Sequence, residues 1–109
     1  GYLTGKYRNK KIPKNSRLDL FYNNYPRYHN ERTYKAVDEY FKVAQKYKIS
    51  LAQLSLAFVN SRDFVTSNII GATTMQQLKE NIDSIKISLD EKIIEEINLV
   101  HENNPNPAP

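Results

Sequence analysis

Gly71, Thr73, Thr74, Gln77, Glu80 and Asn81 are the residues of this chain whose types and spacing suit ligand chemistry. They lie in IIGATTMQQLKENI, residues 69–82, where two β-branched residues run into a glycine, two hydroxyls and a helical pattern. The first turn of a helix presents unpaired backbone N–H groups and a positive dipole end, a combination that suits phosphate. Gly71 removes side-chain bulk where a ligand would come close, and a threonine hydroxyl can donate to phosphate oxygens. Gln77, Glu80 and Asn81 stand at i, i+3 and i+4, so their amide and carboxylate groups share a face and could read the edge of a base. The same residues also have a purely structural use. Thr73 or Thr74 can cap the helix, Gln77 can complete a capping box with Thr74, and Gly71 can let a strand turn. Capping boxes are common at helix starts, so the junction alone decides nothing.

A second feature is electrostatic. The net charge of +4 conceals an asymmetry. Residues 1–48 hold twelve Lys/Arg against four Asp/Glu, and residues 49–109 hold four against eight. The cations are densest in KYRNKKIPKNSR, where Lys6, Arg8, Lys10, Lys11, Lys14 and Arg17 all precede the first acid, Asp19. Such a cluster can bind phosphates of any origin, and it can equally be a solvated loop.

The elements that must position these groups follow from periodicity. Residues 1–30 show little of it and read as a long ordered or semi-ordered loop, a length uncommon in a compact domain without a function. In NERTYKAVDEYFKVAQKYK, Asn30 is the expected N-cap and Val37, Tyr40, Phe41 and Ala44 share one face. Asp38 and Lys42 make an i,i+4 pair on the other side. SLAQLSLAFVN opens on a capping box, Ser50 with Gln53, and buries Leu51, Leu54, Ala57 and Phe58. The β-branched FVTSNII, bounded by Gly71, predicts a strand over 67–70, and a helix follows over 74–85. SLDEKIIEEINLV predicts a helix over 90–102, opened by Ser88 with Glu91, with an apolar face of Ile93, Ile94, Ile97 and Val100. The tail NNPNPAP, in residues 103–109, cannot continue a helix and is expected to be extended.

Composition narrows the classes. At 109 residues the chain is at most one small domain. It has no cysteine, which excludes disulfide scaffolds, thiolate metal sites and cysteine nucleophiles. No apolar run is long enough to span a bilayer, so no membrane partner is expected, and a cytoplasmic location fits. His29 and His101 have no metal-ligand spacing and are expected at the surface. Four helices beside one strand leave that strand without partners for its backbone groups. The expectation is a fragment of something larger.

The blocks GYLTGKY, a basic loop, two helices, SNIIGATTMQQLKENI, an LD helix and a terminal PAP together resemble the C-terminal third of an aldo-keto reductase. The branch they resemble most is the bacterial, potassium-channel β-subunit-like one. The resemblance covers the chain nearly end to end and is specific in the LTGKY and glycine-hydroxyl-helix blocks. It implies an α/β fold, the C-terminal portion of a (β/α)8 barrel, mostly helical in this chain with about one strand. Residues 1–3 would end strand 7, 31–48 would form an extra helix and 50–60 helix 7. Residues 67–70 would then be strand 8, 74–85 helix 8 and 90–102 a second extra helix. Phosphate sites of such barrels often use the loops after strands 7 and 8.

The resemblance further implies NADP(H) as cofactor, bound across the barrel mouth. By position, Thr4 and Lys6 would contact the pyrophosphate or the 2′-phosphate side, and Arg17 would clamp the 2′-phosphate. Gly71 and Thr73 would lie against that phosphate, Gln77 beside it, and Glu80 and Asn81 at the adenine edge. Relatives often have an arginine near Gln77; its absence here puts more of the NADP preference on Lys6 and Arg17. The proton-donor tyrosine and its partners would lie on earlier strands, so no catalytic residue and no metal site is expected in this chain. The implied partners are the N-terminal two thirds of the barrel and a small carbonyl substrate. Two other functions compete. One is a basic nucleic-acid-binding module using Lys6 to Arg17 with Tyr2 and Tyr7 as stacking groups, without any recognised nucleic-acid motif. The other is a helical interaction module without chemistry.

Overall fold

The computed structural model describes residues 1–109. Five helices carry the chain: α1 (Arg17–Leu20), α2 (Glu31–Lys46), α3 (Leu51–Asn60), α4 (Met75–Asp83) and α5 (Glu91–Asn103). Short 3-10 turns lie at Tyr2–Thr4, Arg8–Lys10, Tyr22–Asn24, Pro26–Tyr28 and Ser84–Lys86. There is no strand.

Each longer helix starts where a polar side chain can take an otherwise unpaired amide. Asn30 accepts from the Thr33 amide at 2.9 Å and opens α2. Ser50 and Gln53 form the expected reciprocal box at the start of α3. Thr74 accepts from the Gln77 amide at 3.2 Å and opens α4. At α5 the expectation of Ser88 with Glu91 is corrected. Asp90 is the cap, accepting from the Ile93 amide at 2.9 Å, because its carboxylate sits one residue before the first helical turn.

The core joins three of these helices. Val37, Val43 and Ala44 of α2 meet Leu51 and Leu54 of α3 and Ile93, Ile97 and Val100 of α5 in one buried cluster. Tyr40, Phe41 and Phe58 pack at its edge, half-buried. α3 also packs against α4, against the Tyr2–Thr4 turn and against the Ser84–Lys86 turn. It is therefore the element that relates the start of the chain to the 71–81 region.

Several expectations are overturned. Residues 67–70 form no strand; the segment is irregular, and Ile69 is 95% exposed. A strand persists only if a neighbour takes its backbone groups, and nothing here does. Only a side chain holds this stretch: Asn68 donates to Asn60 Oδ1 at 3.1 Å and to the Leu56 carbonyl at 3.4 Å. For the same reason residues 1–3 are a 3-10 turn, not a strand end. The helix expected over 74–85 stops at Asp83 and tightens into the Ser84–Lys86 turn. Asp38 does not pair with Lys42. Its carboxylate receives Arg8 at 2.6 Å, a partner from across the fold.

Residues 1–30 are ordered around aromatic rings, and the tail is anchored. Asn104 is buried, donating to Glu39 at 2.6 Å and to the Val100 carbonyl at 2.9 Å. The Pro107 carbonyl accepts from Thr33 Oγ1 at 2.9 Å and from Asn30 Nδ2 at 3.2 Å.

Candidate functional site

At the start of α4 the polar residues form a local network. Thr74 caps the helix, and Gln77 reaches back past it to Thr73. Gln77 Oε1 accepts from the Thr73 amide at 2.9 Å and from Thr73 Oγ1 at 3.0 Å. The expected box between Thr74 and Gln77 is thus half realised, displaced by one residue. Asn81, one turn further on, donates to the Gly71 carbonyl at 3.2 Å. Gly71, Thr73, Gln77 and Asn81 are tied into one unit by these bonds. Glu80 lies beside them, half-buried and in no ion pair.

Gly71 has no local structural reason to be glycine. Its backbone is outside the left-handed region, and a Cβ built on it would meet nothing within 4 Å. The turn-of-strand explanation lapses with the strand. What remains is open space beside the first turn of α4, where the amides of Met75 and Gln76 have no helical partner.

A second group forms at the start of the chain. Thr4 Oγ1 donates to the Gly1 carbonyl at 2.7 Å and accepts from the Lys6 amide at 3.4 Å. The Lys6 ammonium lies 5.1 Å from the centre of the Tyr7 ring. Arg17 is exposed at the first position of α1, where Ser16 caps through the Asp19 amide at 3.3 Å. Burial would raise the Tyr7 phenol, yet hydrogen bonds with Ser16 and the Leu18 amide, with the Lys6 charge, leave it below the usual tyrosine value.

The basic cluster divides in two. Arg8 pairs with Asp38 and stacks on Phe41 at 3.4 Å, and Lys10 pairs with Glu31 at 2.6 Å. Lys6, Lys11, Lys14 and Arg17 are in no ion pair and are exposed. Half-buried Arg8 therefore fastens the basic loop to α2, a role that charge counting missed. A lone arginine facing an acid thirty residues away leaves no local sequence signal.

No hydrogen bond or ion pair joins the two groups; α3 packs against the elements that carry both. Thr4 and Lys6 meet at one place, with Arg17 beside the Leu18 amide that Tyr7 accepts from, and Gly71, Thr73, Gln77, Glu80 and Asn81 lie at another. An anion suits either. Near the first lie the uncommitted Lys6 and Arg17 cations; at the second are free helix amides and a glycine with open space. The Thr73 donors are already engaged by Gln77, so a phosphate using them requires the Gln77 side chain to turn away.

No three of His, Cys, Asp and Glu are close enough to hold a metal. Tyr2 is pushed well above the tyrosine range, first by burial and then by neighbouring tyrosines. Tyr7 is 4% exposed and its hydroxyl accepts from the Leu18 amide at 3.2 Å. The stacking groups of the nucleic-acid reading are thus taken up inside the loop. His101 is exposed as expected; His29 is not a bare surface residue, being half-buried and bonded through both ring nitrogens. No helix is long and apolar enough to cross a membrane.

Comparison with known proteins gives a consistent set. The profile of the aldo/keto reductase family matches residues 1–102. "Protein tas" of Escherichia coli is 45% identical over all of this chain, which spans 31% of that protein. A probable voltage-gated potassium channel subunit beta of Oryza sativa is 33% identical over 96% of the chain, which spans 33% of it. L-glyceraldehyde 3-phosphate reductase of Escherichia coli is 35% identical over 78% of the chain, corresponding to 25% of that enzyme. The chain thus spans about a third or less of the relatives it matches, and over that span it belongs to the aldo/keto reductase family.

Proposed function

We propose that this chain is the NADP(H)-binding C-terminal portion of an aldo-keto reductase barrel that reduces a small carbonyl compound. A cytoplasmic location and assembly with the N-terminal two thirds of the barrel belong to the same reading. The observation that carries it is the α4 junction. At this helix start the first amides are free, and Thr73, Gln77 and Asn81 are already organised by hydrogen bonds around Gly71. Capping by Thr74 accounts for Thr74 but not for the Thr73–Gln77 and Asn81–Gly71 hydrogen bonds.

The bound coenzyme supplies the hydride. This chain's part is to hold and orient it. The α4 amides and Thr73 offer donors to a phosphate, and Lys6 and Arg17 offer charge to one. Glu80 and Asn81, on the same face one turn on, offer an acceptor and an amide to a base edge. In this reading proton donation to the carbonyl falls to groups outside these residues.

The test is a pair of binding titrations, NADPH and NADH, with the N-terminal barrel segments supplied. A charge-assisted contact contributes about 1.5–3 kcal/mol, so Arg17→Ala should weaken NADPH roughly ten- to a hundredfold. NADH, lacking the 2′-phosphate, should be almost unchanged. Equal losses for both would take Arg17 away from the 2′-phosphate, and wild-type protein binding neither coenzyme would defeat the reading.

A further inference from the structure

His29 links two parts of the N-terminal loop that are distant in sequence. Its Nε2 lies 3.0 Å from the Tyr22 carbonyl, which can only accept, so Nε2 carries the proton. Nδ1 is then the acceptor, and the Tyr2 hydroxyl donates to it at 2.8 Å. The ring also lies flat on Tyr22, centroids 4.4 Å apart and planes 7° from parallel. Tyr2 in turn packs on Tyr7 at 5.1 Å, and Tyr7 takes the Leu18 amide, next to Arg17. One continuous set of contacts therefore runs from Tyr22 through His29, Tyr2 and Tyr7 to the first turn of α1.

The exposed Arg17 side chain has no hydrogen bond or ion pair of its own to fix it. Its place follows its backbone, which this chain of contacts reaches at the Leu18 amide. We propose that His29 is a positioning residue, a clasp that closes the loop between Tyr2 and Tyr22 and so places Arg17 and Lys6 for the coenzyme. The loop's place depends on His29 whatever it binds; the link to coenzyme rests on the reading above. The donor-acceptor pair matters more than the ring. A glutamine side chain also offers an N–H donor and an acceptor, its amide NH2 and carbonyl oxygen, whereas phenylalanine keeps the stacking surface and offers neither.

The experiment compares wild type, His29→Gln and His29→Phe in the protein completed with the N-terminal barrel segments. Amide hydrogen exchange over residues 16–29 reads the loop, and NADPH and NADH titrations with steady-state kinetics read the consequence. In His29→Phe the Asn24 and Tyr28 amides should lose protection while α2, α3 and α5 keep theirs. The lost hydrogen bonds should weaken NADPH by about tenfold and NADH clearly less, raising KM for NADPH without lowering kcat. His29→Gln should restore both readouts. Loop protection unchanged in His29→Phe overturns the clasp, as does a glutamine variant as impaired as the phenylalanine one. A loosened loop with unchanged NADPH affinity overturns the positioning role and leaves a structural one. If the loop behaves as expected but wild type binds neither coenzyme, the clasp stands and the coenzyme reading falls.

Discussion

Thr73 and Thr74 are neighbours with different tasks, and the difference is measurable. Thr74 is the cap of α4, whereas both Thr73 donors go to Gln77 on the exposed surface. Thr74→Ala should cost about 1 kcal/mol of stability, the usual loss for a removed cap, as read by urea unfolding. Thr73→Ala should cost clearly less stability and should weaken NADPH more mildly than Arg17→Ala, because it removes a neutral donor. A larger stability loss at 73 than at 74 would reverse the assignment. Asp83, at the other end of α4, supplies a pH test. Hydrogen bonds from Lys79 and then Lys86 hold its carboxyl down to about 2. A carboxylate with a depressed folded pKa contributes stability above its unfolded value of 3.8, and that contribution is lost as pH falls toward 2. Asp83→Asn should flatten the stability profile between those two values and leave its shape unchanged near neutrality, as followed by circular dichroism across an acid titration.

The helices are where sequence and structure agree most closely, and α3 shows why. Its apolar spacing and its Ser50–Gln53 box are local signals, and both are realised. Leu54 is 2% exposed within the shared core, so Leu54→Ala should destabilise by about 2–5 kcal/mol, seen as a lowered Tm. The strand over 67–70 was misread for the converse reason. A β-branched run signals strand propensity, but a ladder is a pairwise property and no second strand is present. Asp38 fails to meet Lys42 because Arg8, far off in sequence, offers both a charge and a stack on Phe41. The clasp at His29 was hidden similarly: a lone histidine reads as surface until the fold brings Tyr2 to it. Of the candidate region, the Thr74 cap was legible because capping is a local geometry. That Gln77 would serve Thr73 was not.

On the scale of the whole molecule, the proposed reading puts the proton donor outside these residues. Its tyrosines are inside an aromatic loop, around the core or at the surface; Tyr34 shares an open cleft with Lys10, Lys35 and Glu31, and Tyr47 donates to Glu96, which Lys46 also pairs. The purified chain should therefore show no carbonyl-dependent NADPH oxidation, since positioned proton transfer supplies orders of magnitude in rate. Turnover above the uncatalysed rate, followed by absorbance of the reduced coenzyme, would contradict this.

The fastening of Pro107 to Asn30 makes the chain between them a closed circuit without a covalent link. Those two residues are 77 positions apart, and the same Asn30 side chain also caps α2. Every helix from α2 to α5 lies within that circuit. Closing a circuit of this size carries an entropic cost that grows only slowly with its length, so a few hydrogen bonds at the seam can maintain it once the core has formed. Removing residues 105–109 would unfasten the seam while leaving the core side chains in place. The two ends of the circuit would then fray independently, so the onset of opening at the start of α2 is governed by events at the far terminus.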